Sequence, residues 1–514
     1  MATTQKTESD RTELGPTQPD PKRFRALAVI ALAQLMIVLD ASVVIVALPS
    51  AQRTLHISVA NRQWVMTAYT LAFGSLLLLG GRISDYLGRR RMFIVGLIGF
   101  AAASALGGLA QNSAMLFSAR AIQGAFAALM APAALSLLTV TFTEPHERAR
   151  AFGVYGGIAG GGAAVGLMLG GMLTQFASWR WTLLINVPIA LGAAYAATRV
   201  VRESRGASAR SGYDVPGAVS VTGGLFLLVL GFTTAQTHGW RAPLTVSLLT
   251  GAFLALVAFV VIELRSAHPL LPLRVILDRN RGGAYLASLL VGSAMLGTFL
   301  FLTYFFQATL GYSALKTGFA FLPFSIGIIA GATLASRLLP NIGPRVLMVI
   351  GLTLGFLGLL WFTRLGVDSN YLVHVLPAEI VVSLGMGMTF VPMNSTALIG
   401  IDPRDAGVAS ALVNTTQQVG GSLGIALLNT VAATAAAGYL AGHLGSSGAI
   451  RAAAVHGYTT AFTVSAALLA FAAIVAGVLI RATRHDLSTS TEPAMVVEGA
   501  VAGPSVSPEE ALVT

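Results

Sequence analysis

Long apolar segments recur from one end of this 514-residue chain to the other, with short polar gaps between them. A bilayer core about 30 Å thick needs roughly 20 apolar residues in each spanning helix. Lipid offers no water to backbone amides, so such segments must be helical. The sequence therefore predicts an all-α polytopic membrane protein with fourteen spans, at residues 26–48, 63–81, 92–111, 114–138, 151–172, 181–200, 215–236, 243–264, 283–306, 317–337, 345–365, 371–398, 407–437 and 459–480.

Charge placement gives these spans an orientation. Hydrophobic residues make up 55% of the chain and charged residues 10%, so the position of each charge matters more than the net charge of +11. With both termini on one side, the segments on that side contain 24 Lys or Arg, and the opposite loops contain seven. The five tryptophans, a residue that prefers the membrane interface, lie toward the opposite side. The positive-inside rule therefore predicts that both termini are cytoplasmic.

One carboxylate, Asp40, interrupts the first apolar run. A charged side chain in hydrocarbon costs about 2.5 to 3.5 kcal/mol on insertion scales, so Asp40 is expected to face a watery cavity or a partner. At 1.5 Å per residue, Asp40 lies about 13 Å from the outer end of span 1, and Arg120 on span 4 lies about 9 Å from the same side. We expect Asp40 to exchange protons or meet a cation. The alternative is an acid that only pins one helix to its neighbours.

The loop between spans 2 and 3 reads Gly-Arg-Ile-Ser-Asp-Tyr-Leu-Gly-Arg-Arg-Arg from Gly81 to Arg91. Gly88 permits the left-handed backbone of a short turn, and Asp85 can pair with an arginine or cap a helix. The loop closely resembles the loop motif of the major facilitator superfamily. The resemblance implies a cytoplasmic gate formed by Gly81, Asp85, Gly88, Arg89 and Arg90.

Three further stretches resemble motifs of the fourteen-span drug:proton antiporters of that superfamily. They are 39–49 on span 1, 116–124 on span 4 and the glycine-rich part of span 5, with a further echo from Ser178 to Asn186. On span 5, Leu167 stands where the family usually has proline, which removes an expected kink. Small residues four apart allow helices to approach closely. The resemblance implies that helix packing is shaped by Gly162, Gly166, Gly170 and Gly171.

The resemblance also implies the major facilitator fold, in which two six-helix bundles flank an inserted helix pair. A degenerate copy of the first loop around Gly343 supports two related halves. The expected divisions are a cytoplasmic segment 1–25, a bundle 26–200, the inserted pair with its loops 201–282, a bundle 283–481 and a cytoplasmic tail 482–514. The tail is rich in Ser, Thr, Pro and Glu and is predicted to be disordered.

In family members, spans 1 and 4 both line the central cavity, so the resemblance implies a transient pair between Asp40 and Arg120 that tunes proton binding. The alternative is that Arg120 binds backbone carbonyls or Gln123 and never meets Asp40. Glu379, the only acid well inside the second half, is a second candidate for binding a proton or a cation. The alternative is that Glu379 lies at the membrane boundary, near Pro377, and is simply in contact with water.

Span 9 contains an aromatic-rich patch between Phe299 and Phe306. Flat rings with few fixed polar groups suit lipophilic and often cationic ligands. Polar side chains on several spans are weaker candidates for the same substrate cavity: Gln34, Tyr69, Gln123, Tyr155, Tyr304, Gln307, Asn394, Asn414 and Gln418.

The resemblance to the drug:proton antiporters, together with these features, implies a proton-coupled exporter of lipophilic drugs or antibiotics, cationic ones included, that works by alternating access. The expected setting is a bacterial inner membrane, because 29 arginines against 3 lysines suggest a GC-rich bacterium, and the expected active unit is a monomer. No enzyme activity, cofactor, metal, ATP or nucleic acid is expected, since no loop can hold a catalytic domain and no phosphate-binding loop is present. Two alternatives stay open: a symporter that imports a metabolite, and a receptor or lipid-handling protein that reuses the fold.

Overall fold

The computed structural model describes residues 21–59, 61–142, 144–204, 214–266, 271, 273–401, 406–443 and 448–483. Residues 1–20 of the predicted N-terminal segment and residues 484–514 of the predicted tail lie outside the described residues. Within those ranges the regular structure is helical.

The described residues form seventeen α-helices. The helices in the first part of the chain are α1 (Arg23–Thr54), α2 (Trp64–Leu87), α3 (Arg89–Gly108), α4 (Ser113–Thr141), α5 (Pro145–Phe176), α6 (Trp181–Leu184) and α7 (Asn186–Val200). Next come α8 (Val215–His238), α9 (Pro243–Arg265) and α10 (Leu273–Leu277). The last part contains α11 (Arg279–Tyr304), α12 (Ala314–Ala320), α13 (Leu322–Ile342), α14 (Pro344–Phe362), α15 (Leu376–Leu398), α16 (Ala406–Gly442) and α17 (Ala449–Leu479), with π-helical segments Phe305–Thr309 after α11 and Tyr371–Val375 before α15.

Each of the fourteen predicted spans overlaps at least one of these helices; span 6 is divided between α6 and α7, and span 10 between α12 and α13. Within the described residues, twelve helices are long and apolar enough to cross a membrane. Helix α2, which bends by 55° between Leu77 and Leu79, would be a thirteenth. The apolar part of α5, Val165–Phe176, is shorter than a span. The all-α membrane fold is confirmed with twelve or thirteen candidate spans, and the predicted number of fourteen is not.

Two glycines turn the chain at corresponding loops. Gly88, between α2 and α3, has a φ of 111°, and Gly343, between α13 and α14, has a φ of 85°. Side chains with a Cβ rarely adopt such values, which explains glycine at both positions. The loop motif and its degenerate copy therefore share the same backbone turn, although only the first has an acid at the position of Asp85.

Helices α1–α7, here the N-terminal set, pack mainly on one another, with α1 against α5 and α2 and α3 against α4. Helices α11–α17, the C-terminal set, do the same, with α11 against α16 and α15 against both α13 and α14. Helix α8 packs on α9 and also contacts α2 and α16, so it touches both sets. Most of α9 is exposed on the outside of the protein, as expected of a helix that faces lipid.

The two sets are joined near one end of the molecule, the end that carries loop 55–63. We call this region the seam. Helix α5 packs there against α12, and α2 packs against α16. Among the described residues, the hydrogen bonds that cross the seam include Tyr304 to Gln52, Gln307 to the carbonyl oxygen of Val46 (2.9 Å), Arg62 to Asn429 (3.3 Å), and one between the hydroxyls of Thr70 and Ser422 (2.5 Å).

Candidate functional site

Asp40 lies within the N-terminal set and is only 1% exposed. Its Oδ2 accepts a hydrogen bond from Nη1 of Arg120 at 2.6 Å. Its Oδ1 accepts two more, from Nε2 of Gln123 and Nδ2 of Asn186, both at 2.8 Å. A buried charge is tolerated when it is paired and hydrogen-bonded, and all three neighbours of this carboxylate are donors. The surroundings of Asp40 therefore match its ionised form.

Arg120 is also 1% exposed and connects three helices. Besides Asp40 on α1, it donates from Nε to the carbonyl oxygen of Val65 on α2 (3.0 Å) and from Nη1 to Oε1 of Gln123 (2.7 Å). Its guanidinium lies 4.4 Å from the ring centroid of Tyr69, a cation–π distance. In this structure Arg120 contacts Asp40. It also makes the two contacts that the alternative named, one with a backbone carbonyl and one with Gln123.

Local structure explains how these side chains converge. Gln123 follows Arg120 by three residues on α4, so both side chains share one helix face. Asn186 is the first residue of α7, immediately after the break in span 6 at Ile185. Gln123 also donates to the hydroxyl of Ser104 on α3 (2.7 Å). We call Asp40, Ser104, Arg120, Gln123 and Asn186 the Asp40 cluster.

The sequence analysis did not assign Asn186 or Ser104 to the site. The sequence could have indicated Asn186, because it is an amide in an apolar segment that resembles a family motif. Nothing in the sequence distinguishes Ser104 from other serines. Tyr69 and Gln123 were predicted to line a substrate cavity, and the structure corrects this. Both are buried against Arg120, because their helix faces point into the N-terminal set.

A small crevice borders Arg120 on the side toward the seam. Its lining is almost entirely apolar and includes Val44, Leu48, Val65, Leu116, Trp179 and Leu183. These side chains separate the Asp40 cluster from the seam end. Electrostatic interactions are stronger in such a water-poor region, so a change of charge on Asp40 has a large effect on its neighbours.

The predicted gate loop is tied to its own half of the molecule. Nε of Arg89 donates to Oδ1 of Asp85 at 2.7 Å, and Nη2 of Arg90 donates to the carbonyl oxygen of Thr198 on α7 (2.7 Å). Gly81 packs near Pro132 of α4, where an added Cβ would lie 3.5 Å from the proline Cβ. The loop thus joins α2 and α3 to α4 and α7.

Glu203, which the sequence analysis did not single out, caps α3 beside this loop. Its carboxylate accepts hydrogen bonds from the backbone amides of Arg90 and Arg91, both at 3.1 Å. A carboxylate at a helix N-terminus is favoured by the helix dipole. A Cβ on Gly88 would lie 2.8 Å from Oε1 of Glu203, the end of a flexible side chain that can move aside, so the positive φ is the main reason for glycine here.

The four motif glycines of α5 face two partners. Added Cβ atoms would lie 3.1 Å from Val38 at Gly162, 1.9 Å from the Ser42 hydroxyl at Gly166 and 2.8 Å from the Val43 carbonyl oxygen at Gly170, all on α1. At Gly171 a Cβ would instead lie 2.6 Å from the carbonyl oxygen of Ala314 on α12. The stripe therefore holds α5 against the helix of Asp40, and Gly171 extends the close packing across the seam.

Glu379 lies in the C-terminal set and is 0% exposed. Its Oε2 lies 3.2 Å from the Tyr371 hydroxyl, and its Oε1 has no hydrogen-bond partner in the described part of the protein. The Tyr371 ring packs against Phe306 and Tyr312 at centroid distances of 5.9 and 6.4 Å. The alternative in which Glu379 meets water does not hold in this structure.

The remaining cavity candidates occupy two regions. Tyr304 and Gln307 belong to the seam rather than to an open cavity, because their polar atoms bind Gln52 and the Val46 carbonyl across it. The others are partly or largely exposed toward the end opposite the seam, and Tyr155 donates to Gln34 at 2.7 Å. This second group consists of Gln34, Tyr155, Asn394, Asn414 and Gln418.

A family model described as the Major Facilitator Superfamily matches residues 30–425, which is more than half of the chain. The chain belongs to the major facilitator superfamily. It is similar to the puromycin resistance protein pur8 of Streptomyces alboniger, with 50% identity over 482 residues that cover 93% of this chain and 95% of that protein. It is also 41% identical to the cephamycin export protein CmcT of Amycolatopsis lactamdurans, over 84% of this chain and 90% of that protein.

A solved structure shows the same fold. It is a bacterial homolog of the human lysosomal transporter Spinster in an inward-facing, unoccupied conformation, with a TM-score of 0.62, 16% identity and coverage of 91% of this chain and 98% of that one. At this identity the likeness concerns the fold alone. Family membership and fold together make this major facilitator protein a multi-pass membrane transporter of small molecules and not an enzyme.

Proposed function

We propose that this transporter exports antibiotic-like lipophilic molecules in exchange for protons. The observation that carries the coupling is the Asp40 cluster, in which one buried carboxylate accepts from three donors on two other helices. The substrate class follows from the relatives, which are named for puromycin resistance, cephamycin export and lincomycin resistance. The aromatic-rich patch of α11 and the π-helical segment after it would suit such ligands.

Proton binding would act on this cluster through a change in donors and acceptors. An ionised carboxylate only accepts, whereas a neutral carboxyl has an O–H that must itself donate. Protonation of Asp40 would therefore remove the negative charge that pairs with Arg120. It would also add an O–H donor next to neighbours that are themselves donors. The contacts of α1 with α4 and α7 weaken in that form. A proton can shift a conformational equilibrium in this way because it binds one arrangement of the cluster better than another.

The direction of access follows from the orientation predicted by the basic residues. If both termini are cytoplasmic, the seam is at the outer end, and the structure represents an inward-facing form. Gln34, Tyr155, Asn394, Asn414 and Gln418 would then meet substrate from the cytoplasm. Gly81, Asp85, Gly88, Arg89 and Arg90 would control closure of that side. These placements use the positive-inside rule and the position of the seam.

The same proposal includes the finer architecture. It has fourteen spans, because each predicted span overlaps a helix and α5 would cross with its glycine-rich part included. Residues 26–200 and 283–481 would be the two bundles and 201–282 the inserted pair, which agrees with the packing of α8 on α2 and α16. The protein would work as a monomer in a bacterial inner membrane.

The experiment is drug efflux from energised cells that express the intact protein, Asp40→Asn or the control Asp368→Asn at matched levels. Asp368 lies in a loop outside the Asp40 cluster. Puromycin is the first compound, followed by a panel of lipophilic antibiotics. Efflux that needs the proton gradient, survives Asp368→Asn and is lost in Asp40→Asn supports the proposal. Gradient-dependent efflux that survives Asp40→Asn contradicts the role of Asp40.

A further inference from the structure

The Tyr371 hydroxyl has two oxygen partners but only one hydrogen. It lies 2.8 Å from the carbonyl oxygen of Ala320 and 3.2 Å from Oε2 of Glu379. A backbone carbonyl can only accept, so the single tyrosine hydrogen goes to Ala320, the shorter of the two contacts. The contact with Glu379 then lacks a hydrogen unless the carboxyl group supplies it.

The surroundings of Glu379 also lack a countercharge. Within the described residues, no basic side chain contacts this carboxyl group, and Oε1 has no donor. An isolated ionised carboxylate in an apolar interior is so costly that the group takes up a proton instead. Asp40 in the same structure shows the opposite case, since a guanidinium and two amides donate to it.

Other titratable groups near this end face elsewhere. Tyr312 packs on the Tyr371 ring and has the Lys316 ammonium 3.8 Å from its own ring centroid, while His374 interacts with Asn370. Arg364 is in an exposed loop. The described helices packed against α15 have their charged side chains at the other end: Arg279 and Arg281 on α11, Arg337 on α13 and Arg345 on α14.

We infer that Glu379 is a second proton site, which in this conformation holds a proton and donates it in a hydrogen bond to the Tyr371 hydroxyl. Its importance for transport rests on the proposed function, whereas the protonation itself does not. The site belongs to the C-terminal set, so Glu379 is the counterpart there of Asp40 in the N-terminal set. In this conformation Asp40 accepts hydrogen bonds from three donors, whereas Glu379 is neutral.

The hydrogen bonds connect this proton to the seam. Tyr371 begins the π-helical segment before α15, and such segments are frequent at functional sites. Its hydroxyl bridges Glu379 and Ala320, the last residue of α12. The first residue of the same short helix, Ala314, contacts Gly171 of α5 across the seam. Loss of the Glu379 proton would leave a bare carboxylate that competes with Ala320 for the tyrosine hydrogen and so disturbs the helix that closes the seam.

The test is infrared spectroscopy of the purified full-length protein in liposomes at about pH 7, where ordinary Asp and Glu side chains are ionised. A neutral carboxylic acid has a carbonyl stretching band distinct from that of a carboxylate. We expect this band in the intact protein and in Asp40→Asn, and its loss in Glu379→Gln. Absence of the band from the intact protein, or its persistence in Glu379→Gln, overturns the inference. Neither outcome depends on finding a transported compound.

Tyr371→Phe provides a second variant that retains the carboxyl group. We expect the band to remain but to shift in frequency, because the acid loses its hydrogen-bond acceptor. An unchanged frequency would show that Glu379 does not donate to Tyr371 and would contradict the proposed arrangement. If puromycin is transported, proton release per puromycin molecule should fall by about half in Glu379→Gln, because the Glu379 proton is lost while Asp40, on which all exchange depends, remains. An unchanged ratio would remove Glu379 from the coupling.

Discussion

At the scale of single residues, Asp40 of the N-terminal set and Glu379 of the C-terminal set are buried acids with opposite surroundings. Among the residues that the structure describes, Asp40 is surrounded by donors, whereas Glu379 has one tyrosine hydroxyl beside Oε2 and no partner at Oε1. Charged hydrogen bonds contribute about 1.5 to 3 kcal/mol each, so the number of donors decides how firmly each acid is held in one protonation state. Asn186, at the start of α7, is the donor whose removal disturbs the rest of the cluster least.

We predict that Asn186→Leu lowers the transport rate by about tenfold, because the Asp40 carboxylate loses one of its three donors and a charge-assisted hydrogen bond contributes about 1.5 to 3 kcal/mol. The measurement is the initial transport rate in proteoliposomes at one fixed pH. Asn61→Leu, in the loop before α2, is the control and should retain the rate of the intact protein. An unchanged rate in Asn186→Leu would show that this hydrogen bond does not contribute to transport.

At the scale of helices, close packing of α5 on α1 positions the carboxylate. The glycine stripe leaves no room for side chains between these two helices, and Asp40 lies on α1 in the same region. Leu167, in place of the family proline, is buried and is followed by a continuous α5 as far as Phe176. Helix contact here therefore depends on the glycines and needs no proline at this position.

We predict that Gly170→Val destabilises the protein by about 1 to 3 kcal/mol, the usual cost of overpacking a core. The new Cβ would lie 2.8 Å from the Val43 carbonyl oxygen, which must shift. Gly192→Val is the matched control, because a Cβ there meets nothing within 4 Å. Thermal unfolding in detergent should show a lower midpoint for Gly170→Val alone. Equal midpoints for the two variants would contradict the packing role of the stripe.

The sequence predicted the helices more completely than it predicted the residues of the candidate site. Fourteen helical segments could be placed from hydropathy, and depth along spans 1 and 4 suggested that Asp40 and Arg120 could meet. Depth does not report which face of a helix points inward, so Tyr69 and Gln123 were assigned to a cavity instead of the cluster. Glu203 and Asn186 were missed because their partners lie far away in the chain. The hydrogen bond from Tyr371 to the Ala320 carbonyl oxygen depends on atomic positions that cannot be predicted from the spacing of residues in the sequence.

At the scale of the whole molecule, the two helix sets are held at one end by the seam. Arg62 stacks over Tyr304 at 4.0 Å and donates to Asn429, and the Thr70 and Ser422 hydroxyls meet at 2.5 Å. Alternating access requires these contacts to break while others form at the opposite end. The chain has no cysteine, so introduced cysteines can report on the seam without background.

We predict that the double variant Thr70→Cys, Ser422→Cys forms a disulfide under mild oxidation and that this stops transport. The reason is that the seam cannot open while the two helices are bonded. Addition of a reductant should restore transport, and either single variant should be insensitive to oxidation. Full transport with the disulfide in place would show that the seam does not open during the cycle.

The most direct measurement of the central claim is proton movement from sealed proteoliposomes during substrate flux. Purified protein is reconstituted with a pH-sensitive dye inside, and a puromycin gradient is imposed without any pH gradient. Exchange predicts that puromycin entering the vesicles drives protons out, and that Asp40→Asn loses this proton movement whereas Asp368→Asn retains it. Protons that enter together with puromycin, or proton exit that persists in Asp40→Asn, would contradict the account.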